Sequence, residues 1–454
     1  MVRGVVMTNE LQPYPAMKDS GLPWLGEIPE HWDVRRAKYY YREVDERTKT
    51  GAEELMSVSH ITGVTPRKAS VTMFHAASNI GYKISRPGDI AINTMWAYMG
   101  ALGVTKQEGI LSPSYGVYRP RQSTMFIPDY LDPLLRTEPY KSEYLCRSTG
   151  ITSSRIRLYP DQFLRIPLIC PPPDEQVAIV RYLGHIDRRI RRYIRSKQNL
   201  IKLLEEERVV MTEAAMRLAV DCSLRIREVA DRIERLVIRQ NDVNYTPIGL
   251  FNRGRGIFHK VVTKGSELGD STFFWIRSGD LVLSGQFAWE GAVAVAGEKE
   301  EGCIASHRYP VLRGRADIIE TEYLWSFFRT TWGQVLLDHH SRGAAGRNRP
   351  LNIVSLMKEK IPVPPLNIQR EIGALVQLES RTRQVVAALI ETVREYRTRL
   401  IAEIVEGKLD VRAAAKMLPV ELHDSDLLDD QESVMDGDDE DLTDGDVQPP
   451  EDDV

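Results

Sequence analysis

The sequence predicts an α+β fold: two strand-rich domains held apart by two long antiparallel coiled-coil helices, with a pseudo-two-fold internal repeat. Three observations predict it. The first is a duplication. Residues 88–104 read GDIAINTMWAYMGALGV and residues 279–295 read GDLVLSGQFAWEGAVAV, so Gly88, Asp89 and Gly100 fall on Gly279, Asp280 and Gly291 at an offset of 191. The second is a proline brake with helix directly behind it, at PLICPPPDEQ and again at PVPPLNIQR. The third is an apolar seam of 3.5-residue period along both expected helices.

The offset persists beyond the duplicated segment. Gly63 matches Gly254 at 191, Tyr130-Leu131 matches Tyr323-Leu324 at 193, and Gln176 matches Gln369 at 193. Ser112 matches Ser306 at 194, and Ile166-Pro167 matches Ile361-Pro362 at 195. This period is far longer than that of a solenoid. It marks a whole module, duplicated and diverged. Two copies of one module can offer two similar surfaces to one partner, and duplex DNA has the symmetry for that.

The first strand-rich domain is expected over 20–170, with strands near 55–61, 89–94 and 115–120 among Gly-Asp turns and aromatic residues. The first long helix is expected over 171–218, with Asp174 as its N-cap. Its seam reads Ile179, Leu183, Ile186, Ile190, Tyr193, then Leu200 and Leu204 beyond Lys197. The opposite face is basic: Arg188, Arg189, Arg191, Arg192, Arg195 and Lys197. A helix of about 40 residues is roughly 60 Å long, too long to bury its seam in one compact domain. The matching partner is the other helix, and pairing between two chains is the rival use of the seam.

The second strand-rich domain is expected over 222–360, with strands near 245–251, 280–284 and 308–313. The second long helix is expected over 361–412, with Asn367 as N-cap and a seam of Val386, Leu389, Val393, Tyr396 and Leu400. Gly407 suits a helix C-cap. Residues 420–454 form an acidic tail with few apolar residues, expected to be disordered.

Charge divides the chain unevenly. The net charge is −4, yet residues 421–454 hold 16 acidic and no basic residues, leaving 60 basic against 48 acidic before them, a net of +12. A basic body with an acidic tail fits a nucleic-acid binder, and equally a solvated surface with a solubilising tail. No apolar run reaches the roughly 18–20 residues of a membrane span. The opening MVRGVVMTNE has no apolar core long enough for a secretory signal. Cys146, Cys170, Cys222 and Cys303 are scattered without metal spacing, as reduced thiols of a cytoplasmic protein would be.

Several catalytic patterns are missing from the sequence. It contains no G-x-x-x-x-G-K-[ST] loop and no G-x-G-x-x-G after a strand. It also lacks the Asn-Pro-Pro-Tyr or Asp-Pro-Pro-Tyr tetrapeptide expected of an enzyme that methylates a base amino group. His339 and His340 are adjacent, so they cannot share a helix face, and no third ligand is well spaced for a metal. Glu406-Gly407-Lys408 fits half of a nuclease motif, but a helix end explains it better. The chain reads as a reader or scaffold and not a catalyst.

Candidate DNA contacts cluster on turns. NRGRGIFHK places Arg253, Arg255, His259 and Lys260 around two glycines, and arginine can pair bidentately with guanine. Ser284, Gln286, Trp289 and His307 flank the second Gly-Asp segment. The matching places of the first module hold Arg67, Lys68, Asn93, Thr94, Trp96 and Tyr98. The two sets differ in chemistry although the framework glycines match, as two readers of different half-sites would. Core packing is the competing expectation for Trp96 and Trp289, and a solvated loop for Arg253 and Arg255. A second basic cluster precedes each proline brake. It holds Arg155 and Arg157 among Ser148, Thr149, Ser153 and Ser154, and in the other copy Arg342, Arg347 and Arg349 beside Ser341 and Asn348. Hydroxyls, glycines and arginines together suit phosphate contact.

The chain resembles the specificity subunits of type I restriction–modification systems. The resemblance rests on SGLPWLGEIPEHWDVRRAK at 20–38, the Gly-Asp strand at 88–94 with its copy at 279–284, PPPDEQVAIVRYLGHID at 171–187, and EGKLDVR at 406–412. It covers about residues 20–415. The second junction departs from it, with Asn367-Ile368-Gln369 where Asp174-Glu175-Gln176 stands in the first, and the acidic tail is an extension. The resemblance implies two target-recognition domains, each reading one half of a bipartite, asymmetric site in double-stranded DNA. It implies helices that set the spacer and dock two methyltransferase (modification) subunits, to which restriction/translocase subunits are added. S-adenosylmethionine and ATP would belong to those partners, with no cofactor, metal or membrane for this chain. The rival expectations are a coiled-coil scaffold with no DNA role and a stand-alone nuclease or methyltransferase.

Overall fold

A computed structural model describes residues 11–67, 78–122, 125–150, 156–343 and 349–419. The expected acidic tail over 420–454 lies outside the described residues. The chain forms two compact units, Met1–Ile190 with Glu395–Val454, and Arg191–Arg394.

The first unit is built on a four-stranded antiparallel sheet. Its strands lie in the order Tyr41–Glu43, Gly116–Pro120, Ile90–Ile92, Leu102–Val104. The second unit repeats it as Ala230–Arg232, Val311–Gly314, Leu281–Leu283, Val293–Val295. The smaller pairings repeat too. Asp33–Arg36 pairs with Pro167–Cys170 as Ser223–Arg225 pairs with Lys360–Pro362. Lys83–Ser85 pairs with Gly109–Leu111 as Phe273–Trp275 pairs with Ile304–Ser306. A hairpin of Met56–Ser59 and Gly63–Pro66 has its copy in Ile248–Leu250 and Ile257–His259.

The duplicated letters have physical causes. The strands Ile90–Ile92 and Leu281–Leu283 are fully buried, as apolar central strands with a neighbour on each side must be. Each leads into a 3-10 turn that ends on a left-handed glycine, Gly100 at φ 89° and Gly291 at φ 76°. A side chain there would be strained. Asp89 is buried and accepts the Arg86 backbone N–H at 3.0 Å and Arg119 Nη2 at 2.9 Å. Asp280 accepts the Arg277 N–H at 2.9 Å, Arg235 Nη1 at 2.6 Å and Arg313 Nε at 3.2 Å. Both carboxylates therefore close a turn and are neutralised by arginine, which is what makes their burial tolerable.

Two long helices, Pro173–Leu218 and Leu366–Val405, contribute to both units. Asp174 and Asn367 fall inside their first turns and are not the N-caps. Pro172 and Pro365 occupy that place, accepting the Gln176 and Gln369 backbone N–H groups through their carbonyls. In the first unit Arg397 grips Asp187 with two bonds of 2.7 and 2.9 Å. In the second, Arg208 Nε donates to Glu379 Oε2 at 2.8 Å and Arg383 pairs with Glu205, so the helices run antiparallel there. Gly407, at φ 79°, ends the second helix, with the Lys408 N–H on the Glu403 carbonyl at 2.8 Å.

The seam differs from its expected form. Ile179, Leu183, Ile186 and Ile190 are buried, but Tyr193 and Leu204 are half-buried and Leu200 is 43% exposed. Beyond Leu204 the buried residues are Arg208, Thr212, Ala215 and Met216. On the second helix Val386, Val393 and Leu400 are buried, while Leu389 and Tyr396 are half-buried. Past the expected seams, Arg208 meets buried Glu379, which stands seven residues before Val386, so the interface continues there as a charged pair and not as leucine contacts.

Gln176 and Gln369 have one task each, and it is the same task. Gln176 Oε1 accepts the Ile127 N–H at 2.8 Å, and its Nε2 donates to the Met125 and Pro171 carbonyls at 3.0 Å each. Gln369 Oε1 accepts the Glu320 N–H at 2.8 Å, and its Nε2 donates to the Ile318 and Pro364 carbonyls at 3.1 and 2.7 Å. Each glutamine ties the long helix to the start of a short helix, Pro128–Leu135 or Thr321–Phe328.

Candidate nucleic-acid interface

In the first unit, three turns meet beyond the end of the strand Ile90–Ile92. Asn93 Nδ2 donates to Tyr115 Oη at 3.4 Å, and Thr94 Oγ1 donates to the Ser114 carbonyl at 3.2 Å. The Thr94 carbonyl accepts the Leu158 N–H at 2.9 Å. Next to it Arg157, whose backbone pairs with Thr149, points its guanidinium at Met95 Sδ, 3.6 Å away. Asn93 and Thr94 are buried and committed to holding this turn. The surface they frame belongs to Trp96, 51% exposed, and to Met99 and Arg157. Trp96 thus escapes the core packing expected for it. Arg67 is exposed just past the hairpin strand Gly63–Pro66, its backbone N–H on the Leu55 carbonyl at 2.8 Å. It faces Tyr115, whose hydroxyl is pushed up by burial while the Arg67 charge works the other way.

The second unit gathers the matching turns with different side chains. Ser284 is buried, and its Oγ accepts the Phe287 N–H at 3.1 Å. The half-buried Gln286 accepts Trp289 Nε1 on its carbonyl at 3.1 Å. The guanidinium of Arg349 lies over the Trp289 ring at 4.6 Å and donates to Asp338 Oδ1 at 2.9 Å. The Gly285 carbonyl accepts the Leu351 N–H at 2.8 Å, and the Gly285 N–H donates to the Arg308 carbonyl at 2.6 Å. The hairpin tip joins this group, with the Gly254 N–H on the Gly291 carbonyl at 2.8 Å and the Asn252 amide on Glu290.

At that tip Arg253 is exposed and adopts φ 58°, a left-handed conformation without glycine's freedom. Arg255 lies over the Phe251 ring at 5.3 Å and donates Nε to the Asn252 carbonyl at 3.2 Å. Arg342 folds back, its Nε on the His339 carbonyl at 3.1 Å. Arg253, Arg255, Ser284, Gln286 and Arg349 therefore belong to one neighbourhood. His259 and Lys260 stand at the other end of the hairpin, His259 Nε2 lying 3.2 Å from Glu300 Oε1. Lys68, Arg155 and Arg347 lie outside the described residues.

The arrangement offers exposed cations and an indole around a rigid turn. Among the described residues no group of three or more His, Cys, Asp or Glu could hold a metal ion, and no helix is long and apolar enough to cross a membrane.

With this geometry in place, the chain is similar to a solved chain of a type I R-M system, one described for its complex assembly and conformational transition. The two share 17% sequence identity with a TM-score of 0.54, over 84% of this chain and 99% of the other. This chain has that fold. The HsdS subunit from Thermoanaerobacter tengcongensis is similar at a TM-score of 0.43 and 17% identity, over 85% of this chain and 97% of that one. The type I restriction-modification S subunit from M. genitalium is similar at 0.39 and 11% identity, over 87% and 98%. No family model matches the sequence, and no curated protein matches it.

Two further residues of the site escaped the sequence reading. Tyr115 and Tyr309 occupy matching turns, both raised by burial with an arginine acting against it, Arg67 for one and Arg308 for the other. The signal was available in the pair Ser112 and Ser306. Extending that match sets SPSY at 112–115 on SHRY at 306–309 and exposes Arg308 at the place of Ser114.

Proposed function

We propose that this chain is the sequence-specific DNA-binding specificity subunit of a type I restriction–modification complex. Each strand-rich domain is a target-recognition domain that reads one half of a bipartite, asymmetric site in double-stranded DNA. The observation that carries this reading is the pair of matching turns. The glycines, the buried aspartates and the sheet order repeat, while the exposed side chains around them do not: Trp96 and Met99 in one, Arg253 and Arg308 in the other. A frame kept twice with different exposed chemistry suits two readers of different sequences. The fold likeness and the +12 charge ahead of residue 421 support the same reading.

On this reading the chain itself does no chemistry. Its long helices dock two methyltransferase subunits, and restriction/translocase subunits join through them. S-adenosylmethionine and ATP are bound by those partners. The test is an exchange of residues 222–355 for the equivalent part of another such subunit, with methylated sites mapped genome-wide by long-read sequencing. One half-site changes and the other stays. A change in both halves together overturns the two-reader reading. A coiled-coil scaffold without a DNA role would instead show no steep salt dependence on heparin.

A further inference from the structure

We infer that Arg136 and Arg329 are the positioning residues of the two reading hairpins, each locking a hairpin tip against its own domain from beneath. The inference rests on the proposed reading of the domains and adds to it the part that fixes the pose of each reader.

The two arginines stand 193 residues apart, the offset that relates Tyr130 to Tyr323. Each is the C-cap residue of the short helix after the central sheet, Pro128–Leu135 or Thr321–Phe328. In the first unit Arg136 Nη2 donates to the Ile61 carbonyl at the hairpin tip, 2.7 Å away. A methyl group added to Gly63 would lie 2.8 Å from Arg136 Nη1. In the second unit the guanidinium of Arg329 fills the space below two glycines. A methyl on Gly254 would lie 2.5 Å from its Nε, and one on Gly291 would lie 2.9 Å from its Nη1. A carbon–nitrogen contact that short would push the guanidinium out of the position it holds. The matched glycines Gly63 and Gly254 therefore meet a second demand besides their positive φ. They leave room for an arginine.

The surroundings of Arg329 are costly, which argues for a purpose. Its Nε is enclosed and makes no hydrogen bond. In the first unit Asp132 lies one turn before Arg136, with Oδ2 at 3.6 Å from Nη1. The matching place in the second unit holds Trp325, which donates Nε1 to the Val293 carbonyl instead. A half-buried cation that lacks the adjacent carboxylate its counterpart has, with only the charges of Glu205 and Glu379 in its favour, is retained against its desolvation cost. Directly above it is the tip where Arg253 holds a left-handed conformation, tied to the Gly291 turn by the Gly254 N–H. Strain of that kind persists only where the surroundings over-determine it.

The test uses the full chain assembled with its methyltransferase subunits and a selection from random duplexes. Hydrogen exchange at the central strands Ile90–Ile92 and Leu281–Leu283 is followed on the same complexes, so that a relaxed half-site is scored only where its own sheet keeps wild-type protection. Arg329→Ala relaxes the half-site of the second domain by roughly tenfold, within the range that one well-made base contact supplies. The other half-site keeps its preference. Arg136→Ala gives the mirror result. Arg329→Met, which keeps a buried stem and removes the guanidinium, behaves as Arg329→Ala and covers the case in which alanine prevents folding. Unchanged preference in both halves, or equal relaxation of both, overturns the inference. A wild-type complex that selects no bipartite sequence instead overturns the reading of the domains on which it rests.

Discussion

Arg208 and Glu379 face each other from the two long helices with their charges enclosed. Arg208 Nε lies 2.8 Å from Glu379 Oε2, and their side chains are 1% and 5% exposed. The guanidinium also lies over the Trp325 ring at 4.6 Å and donates Nη1 to Ser326 Oγ at 3.1 Å. Glu379→Ala leaves an uncompensated buried cation and costs about 3–5 kcal/mol. The double change Arg208→Met with Glu379→Leu recovers most of that. Hydrogen exchange at the amides of 205–215 measures the loss, and equal protection in Glu379→Ala and wild type would sink the claim.

Gln369→Leu removes three hydrogen bonds and leaves the Glu320 N–H, the Ile318 carbonyl and the Pro364 carbonyl without partners. The Pro364 carbonyl is buried, and its orphaning costs about 1–3 kcal/mol, while the two part-buried groups cost less. The Glu320 amide should then exchange much faster, while the Ile127 amide, bonded to Gln176, keeps its wild-type rate. Gln176→Leu should reverse the two. Faster exchange at both amides in either variant would mean a global loss and not a local tether.

Arg157 and Arg253 should separate in their effect on DNA. Arg253→Ala costs about 1–3 kcal/mol on the preferred sequence if its guanidinium pairs with a base, and relaxes preference at one position. Arg157→Ala weakens all sequences alike and lowers the salt slope by about one unit. Titrations at several salt concentrations with specific and random duplexes distinguish them. Equal weakening of both duplexes by Arg253→Ala would remove it from base reading.

The four thiols fall into two classes. Cys146 and Cys222 are exposed, while Cys170 and Cys303 are buried. Burial pushes the Cys170 thiol up to about 11 and raises Cys303 as well, so little thiolate exists at either near neutral pH. A thiol reagent at pH 7 should therefore label two sites in the native protein and all four in denaturant. Mass spectrometry locates them, and fast native labelling of Cys170 would contradict the packing.

The sequence made the frame legible because the frame is written in residues with few substitutes. Gly100 and Gly291 must adopt positive φ, Asp89 and Asp280 must accept a turn N–H, and Gln176 and Gln369 must serve three backbone groups. Such positions survive divergence between copies, and their offsets disclose the repeat. The seam was legible only where leucine-like residues make it. Arg208 and Glu379 are as buried as Ile186, yet a hydrophobic pattern passes over them, and Leu200 fits the pattern while lying in solvent. The site was less legible still. Asn93, Thr94 and Ser284 carry the polar chemistry of contact residues, but their hydrogen bonds are turned inward. Trp96 has the chemistry of a core residue and lies outside. Which of these a turn consumes depends on partners such as Tyr115 and Ser114, some 20 residues away in sequence.

The two units also differ in how the chain is divided between them. Arg191–Arg394 is one continuous stretch, whereas the other unit joins Met1–Ile190 to Glu395–Val454. In that unit Gln12 bridges to Asp410, and Gly407 packs so closely on Pro29 and Trp32 that an added methyl would lie 2.5 Å from the proline ring. These contacts span nearly the whole sequence. On the ribosome, where domains close as their residues emerge, the unit synthesised first is the one that finishes last. Its opening segment must wait through the entire second unit for the strand-end and glycine that complete it. A nascent chain arrested before residue 395 should therefore protect its later half from protease and leave its beginning open to cleavage, an inversion of the usual vectorial order.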